Sequence, residues 1–217
     1  EPQILINTLV ASNVSDITIF QMLPHTIAAY LNNKVFLERF LVKLFFVPVP
    51  LQQAAYEGKI DYIPTYLSQL PKLFRNKQIV IDTVLIQISP PDEFGNASLG
   101  ISVDVTLEAV RNAGKVIAQV NPRMPRTHGD GFIHISEIDH LVYHEEELLF
   151  NEHEQFDENI SMRVAQYVKE LVDDGSTLQV GYGQFPYALL RYFDDKNDLG
   201  IHTHMISDAF VPLMKNG

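Results

Sequence analysis

The sequence predicts an α/β fold, an open and mostly parallel sheet with flanking helices. Apolar, β-branched runs of strand length alternate with stretches of helical periodicity, the spacing that βαβ units require. The run Asp82 to Ser89 is nearly continuous in apolar residues, as a parallel strand covered on both faces is. It breaks at Pro90-Pro91-Asp92, a turn at the carboxyl edge of the sheet, where open α/β sheets bind their ligands.

In chain order, Ile4, Leu5, Thr8, Leu9 and Ser12 fall at helical spacing and predict a short helix over 3–12. Asp16 to Phe20 reads as a strand, and 23–42, apolar on several faces, gives no assignment. Leu44 to Val49 reads as a buried strand stopped by Pro48 and Pro50. A short helix over 51–58 closes at Gly58, a strand follows over 60–64, and a helix over 65–74 is bent or ended by Pro71. After the strand over 82–89, Ser102 as N-cap and Asp104 in the first turn predict a helix over 103–113 ended by Gly114. Lys115 to Val120 returns as a strand. Residues 121–139 read as a loop with short strands, and the acidic stretch His140 to Asp157 as an exposed excursion. Ile160, Val164, Tyr167, Val168 and Leu171 mark an amphipathic helix closing at Asp173-Asp174-Gly175, which feeds a strand over 177–180. No repeat or linker interrupts the pattern, so 1–217 reads as one domain.

Composition narrows the function. Twenty-seven acidic residues against 16 basic ones give a net charge of −11, which repels phosphate backbones and argues against nucleic-acid binding. No apolar run approaches the roughly 18 residues a bilayer span needs, so a membrane role is not expected. The lack of cysteine removes disulfides, a thiol nucleophile and Cys-ligated zinc, and fits a cytoplasmic protein. The chain opens on Glu1-Pro2 with no signal-peptide pattern, and the start reads as internal.

Two stretches could carry chemistry. Gly181-Tyr182-Gly183-Gln184-Phe185, followed by Pro186 as the first helical residue, is a strand-to-helix turn that lets the backbone approach a ligand. Its free N–H groups would favour an anion or a developing oxyanion, although a plain connecting turn has the same residues. In Leu199-Gly200-Ile201-His202-Thr203-His204-Met205, the two histidines at i and i+2 share one face of a strand. With no carboxylate or cysteine nearby they read as packing rather than a zinc site, so no metal is expected. His128, His134, His140, His144 and His153 show no ligand spacing. Arg123 and Arg126, in a loop after a strand, are candidates for a phosphate contact or for structural ion pairs.

Longer blocks give these stretches a context. Asp61-Tyr62-Ile63-Pro64, Leu67-Ser68, Pro71-Lys72-Leu73-Phe74, Ile86 to Asp92, Leu99 to Thr106 and Val120 to Asp139 resemble the acetyl-CoA hydrolase/transferase family, which includes the 4-hydroxybutyrate CoA-transferases. The resemblance implies an open sheet of the NagB/RpiA/CoA-transferase type and the movement of CoA between an acyl-CoA and a carboxylic acid such as acetate. CoA is then a substrate, and no covalently bound cofactor is expected. The family's Gly-Ile-Gly-Ala-Ile-Pro loop, used in CoA binding, maps onto Gly181, Tyr182, Gly183, Gln184 and Phe185, with departures at Tyr182 and Gln184. Its Gly-Ile-His-Thr-Glu-Met run maps onto Gly200 to Met205, so His204 stands where the family has its nucleophilic glutamate, and Ala209 replaces a family glycine. An imidazole can accept an acyl group or activate water but cannot form a glutamyl-CoA thioester. Two alternatives to CoA transfer follow: a non-catalytic, partner-binding domain, and an acyl-CoA thioesterase using His204. Family members also have a strand before Glu1-Pro2 and a second α/β domain with a Gly-x-Gly-Gly loop. The resemblance therefore implies a homo-oligomer or a complementing C-terminal domain as partner.

Overall fold

The structure is a computed structural model that describes residues 1–22, 24–150, 157–181 and 183–216. It divides into two compact units, Glu1–Leu149 and Phe150–Gly217, where the sequence had suggested one domain without a linker. The division falls inside the acidic, proline-free and glycine-free stretch 140–157, which carries no linker composition.

The first unit opens with α1 (Gln3–Ala11), β1 (Ile17–Gln21), α2 (Lys34–Arg39), β2 (Phe40–Leu44), α3 (Gln52–Tyr56) and β3 (Asp61–Tyr62). It continues with α4 (Leu70–Arg75), β4 (Ile81–Ile88), β5 (Asn96–Ser98), α5 (Thr106–Asn112), β6 (Ala113–Val120), β7 (Phe132–His134) and β8 (His140–Tyr143). Two three-stranded parallel sheets, β1-β2-β3 and β4-β6-β8, form its frame, with β5 and β7 paired antiparallel. Mostly parallel pairing with intervening helices is the architecture the sequence predicts.

Local chemistry explains the differences. The unassigned stretch 23–42 holds a 3-10 turn, Ile27–Tyr30, then α2 running into β2 without a loop, so helical and alternating periods merge. Asn33 starts α2 by accepting from Val35 N at 2.9 Å and Phe36 N at 3.3 Å. The strand expected over 44–49 lies earlier, at Phe40–Leu44. The apolar residues just after it serve side-chain packing, with the Phe45 ring 6.1 Å from both Phe20 and Phe74. Pro71 opens α4 instead of ending it, since a first-turn N–H has no intrahelical acceptor to lose.

The helix expected over 103–113 begins only at Thr106. Asp104, at φ +24°, accepts from Thr106 N at 3.0 Å and Thr106 Oγ1 at 2.9 Å, and so holds the preceding residues in a turn. Gly114 lies inside β6, where a Cβ would meet Asp82 O at 3.0 Å. β4 is buried over its carboxyl half only, and β8, expected as part of an exposed excursion, is the third strand of its sheet. As an edge strand with both ends exposed, β8 shows too little apolar pattern to be read.

The second unit comprises α6 (Glu158–Lys169), β9 (Thr177–Leu178), α7 (Gln184–Leu190), β10 (Gly200–Ile201) and α8 (Val211–Asn216) around Val180, Leu190, Phe193, Phe210 and Leu213. Among the described residues, no helix is long and apolar enough to cross a membrane.

Several carboxylates are held below their ordinary range. For Asp92 the first cause is the Asn96 N–H, with Arg126 adding to it; for Glu108 it is the Arg75 guanidinium. In the second unit Asn197 does this for Asp174, and Lys169 for Asp195. A depressed folded value contributes stability that is present above the unfolded value, about 3.9 to 4.3, and is lost as pH falls through the folded one. The urea midpoint is therefore expected to hold from pH 7 to about 5 and to fall below about 4. A midpoint unchanged at pH 3 would contradict this.

Candidate functional site

The second unit brings the glycine turn and the histidine run together. At its base, Asp174 accepts from Asn197 N at 2.9 Å and Asn197 Nδ2 at 3.1 Å, while Gly175 N donates to Asn197 O at 3.0 Å. These bonds set β9 and β10 side by side in parallel, with Thr177 opposite Gly200 and Leu178 opposite Ile201. Gly200 lets the strands approach closely, since a Cβ there would lie 2.7 Å from Thr177 Oγ1 and would push that hydroxyl aside. Past the strands, His202 N donates to Leu178 O at 2.9 Å and Thr203 Oγ1 donates to Val180 O at 2.8 Å. The chain then runs on into Gly181 on one side and into His204, at a bend, on the other.

Gly183 sits at φ +136° and ψ +161°, a backbone region in effect reserved for glycine, and forms the N-cap of α7. Helix α7 starts at Gln184, so Pro186 is its third residue and not its first; a proline still fits in this turn because its N–H has no partner to lose. Among the described residues no side chain caps α7, and the N–H groups of Gly183, Gln184 and Phe185 meet no acceptor. Gly181 and Phe185 are exposed. Tyr182 lies outside the described residues, as does the side chain of Gln184. Beneath the turn, the Tyr187 and Phe210 rings meet at 6.4 Å, anchoring α7 to the chain beyond residue 204.

His202 and His204 are both exposed, and Thr203 between them is half-buried, the alternation expected of extended chain. Among the described residues, no three histidine or acidic side chains lie close enough to hold a metal ion.

In the first unit, the two arginines are committed elsewhere. Arg123 pairs with Glu145 at 3.1 Å and Glu147 at 2.9 Å. Arg126 holds Asp92 at 2.6 Å and Asn96 O at 2.9 Å and lies 4.7 Å over the Phe132 ring. Both arginines thus make ion pairs, one of the two roles the sequence leaves open. Sequence reasoning missed Thr203, whose hydroxyl extends the ladder, and the Asp174 to Asn197 tie, whose partners lie too far apart in the chain to give a local signal.

The model of the acetyl-CoA hydrolase/transferase N-terminal domain matches residues 1–150. The chain belongs to the acetyl-CoA hydrolase/transferase family. The matched segment ends where the first compact unit ends. Among characterised members of the family, the 4-hydroxybutyrate coenzyme A transferase of Clostridium kluyveri is 40% identical over 166 residues, 76% of this chain and 38% of that protein. The succinyl-CoA:acetate/propanoyl-CoA:succinate CoA transferase of Fasciola hepatica is 36% identical over 100% of this chain and 45% of its own length. The chain thus spans less than half the length of these acetyl-CoA hydrolase/transferase relatives. Among solved structures, RipA from Yersinia pestis superposes with a TM-score of 0.85 at 28% identity, covering 99% of this chain and 52% of RipA. The 4-hydroxybutyrate CoA-transferase of Porphyromonas gingivalis superposes with a TM-score of 0.72 at 27% identity, over 100% of this chain and 56% of that one.

Proposed function

We propose that this chain belongs to a CoA-transferase that moves CoA between an acyl-CoA and a small carboxylic acid such as acetate. The observation that supports this reading is the ladder that runs the stretch before residue 204 alongside the stretch before the Gly181 to Phe185 turn, within a family whose named relatives are CoA-transferases. In this reading the turn from Gly181 to Phe185, Tyr182 included, lies against CoA, and the N–H groups of Gly183, Gln184 and Phe185 face negative charge as it develops on the thioester oxygen. The full reaction also calls on a complementing C-terminal domain, which the length of the relatives supports.

Residue 204 decides what the chain does with a bound thioester. A glutamate there would attack the acyl carbon, pass through a mixed anhydride and hold CoA as a thioester until the second acid takes it. His204 cannot hold CoA that way, and its exposure leaves the imidazole open to water. This favours a second reading in which His204 serves as general base for thioester hydrolysis, or the chain binds acyl-CoA without turning it over.

One assay separates these readings: incubation with acetyl-CoA and a second, isotopically labelled acid, following acyl exchange and free thiol together. Exchange without free thiol is the result expected of a transferase. Free thiol alone points to hydrolysis, and neither product, with acyl-CoA still bound, to the binding domain. Absence of any acyl-CoA binding would overturn the CoA reading altogether.

A further inference from the structure

Helix α6 carries two stripes at helical spacing, and the second unit covers one of them. Ser161, Ala165, Val168 and Val172 form the covered stripe: Ser161 and Ala165 are buried, and Val168 and Val172 pack against the cluster around Phe210. Ile160, Val164, Tyr167 and Leu171 recur at the same spacing, one step round the helix. Val164 is half-buried, whereas Ile160 is 55% exposed, Tyr167 69% and Leu171 84%. Glu170 keeps a helical backbone and Leu171 N donates to Val168 O at 3.0 Å, so the stripe continues past the last helical residue. Steps of four, three and four residues are those of a coiled-coil seam. Single exposed apolar residues are ordinary on a surface, but a row of them at seam spacing marks an interface.

The charges beside the seam say what covers it. Arg163 and Glu170 are exposed, lie one heptad apart and flank the seam on the side away from the buried stripe. Among the described residues, neither side chain makes an ion pair or a hydrogen bond. Lys169, on the far side of the helix, is already held by Asp195 at 2.7 Å. In two copies of α6 laid antiparallel, with Val164 of one opposite Tyr167 of the other, Arg163 of each copy comes beside Glu170 of the other. A parallel pair would set Arg163 against Val168 of the second copy, which its own core holds. The charges therefore select the antiparallel order, and the surface is complementary to itself.

We propose that a second copy of this chain covers the bare stripe of α6, in an antiparallel helix pair about a two-fold axis. The inference does not rest on the CoA-transfer reading. A two-fold interface uses the same patch on both copies, so it requires a patch that matches its own apolar row and its own charges. The seam of Ile160, Val164, Tyr167 and Leu171, flanked by Arg163 and Glu170, meets both requirements.

The test is sedimentation equilibrium of the 217-residue chain over a range of concentrations. A contact one helix long is small for an interface, so a reversible dimer in the micromolar range is expected. Leu171→Glu and, separately, Tyr167→Glu should each weaken the dimer by about 100-fold or more. Helix content by circular dichroism should not change, because both side chains are exposed. Arg163→Glu and Glu170→Arg should each weaken the dimer by about tenfold, and the double exchange should restore it, since every copy then offers the same pair reversed. A chain that stays monomeric at every concentration overturns the proposal, as does a dimer untouched by both seam variants. A double exchange no tighter than the single ones overturns it too. So does a monomeric chain that takes up the C-terminal half of a relative through Tyr167 and Leu171, because that half is then the occupant.

Discussion

Replacing His204 with glutamate is expected to make the chain trap CoA. The Thr203 hydroxyl on Val180 O runs the chain before residue 204 alongside the chain before the glycine turn, and in the CoA-transfer reading the new carboxylate takes the place of the family's nucleophile. Incubated with an acyl-CoA, and with the C-terminal half of a relative supplied in trans, His204→Glu should gain the mass of CoA less one water. The acyl group should leave as its free acid. Exchange between two acids should rise on the order of 100-fold over the unaltered chain. His204→Ala is the counterpart. If the histidine acts as a base in hydrolysis, thiol release should fall by about 10²- to 10⁴-fold, and unchanged release would remove His204 from the chemistry. A His204→Glu variant that folds, binds acyl-CoA and gains no mass would show that the surroundings have lost the reaction as well.

Phe36→Ala is expected to be the most costly single truncation in the first unit. Phe36 is 2% exposed and its ring lies 5.8 Å from Tyr30 and 4.9 Å from Phe40, between the 3-10 turn and the start of β2. Removing it leaves a cavity where α2 meets the sheet, at a cost of about 3–5 kcal/mol. The cost should appear as a lower urea midpoint with an unchanged slope, since the surface exposed on unfolding hardly changes. A loss below about 1 kcal/mol would mean that the neighbouring rings collapse into the space.

What could be read in the sequence follows from how local each signal is. The elements α1, β4, β6 and α6 each carry one consistent period or one continuous apolar run, and their expected positions lie within a few residues of those observed. β8 was lost because two apolar residues between polar ends do not announce an edge strand. The pairing of β5 with β7 joins residues more than thirty positions apart and was not legible at all. At the candidate site, the glycine turn and residue 204 could be named from motif resemblance. Their proximity depends on Asp174, Asn197 and the Thr203 hydroxyl, contacts that only the folded chain reveals. For Arg123 and Arg126 a phosphate contact and a structural ion pair stay equally open, because sequence shows charge but not the partner that neutralises it.

The ladder beside residue 204 is short. It has two registered pairs, Gly200 with Thr177 and Ile201 with Leu178, whereas β4 and β6 share seven. Segments braced by so few bonds open at free energies well below that of global unfolding. The alignment of these two stretches is therefore a fraction of an ensemble, and in the CoA-transfer reading a thioester that touches both must first draw on that fraction. Its apparent Kd is the intrinsic one divided by the share of molecules already aligned. Lengthening the β9–β10 pairing would tighten binding without adding a single contact to the ligand.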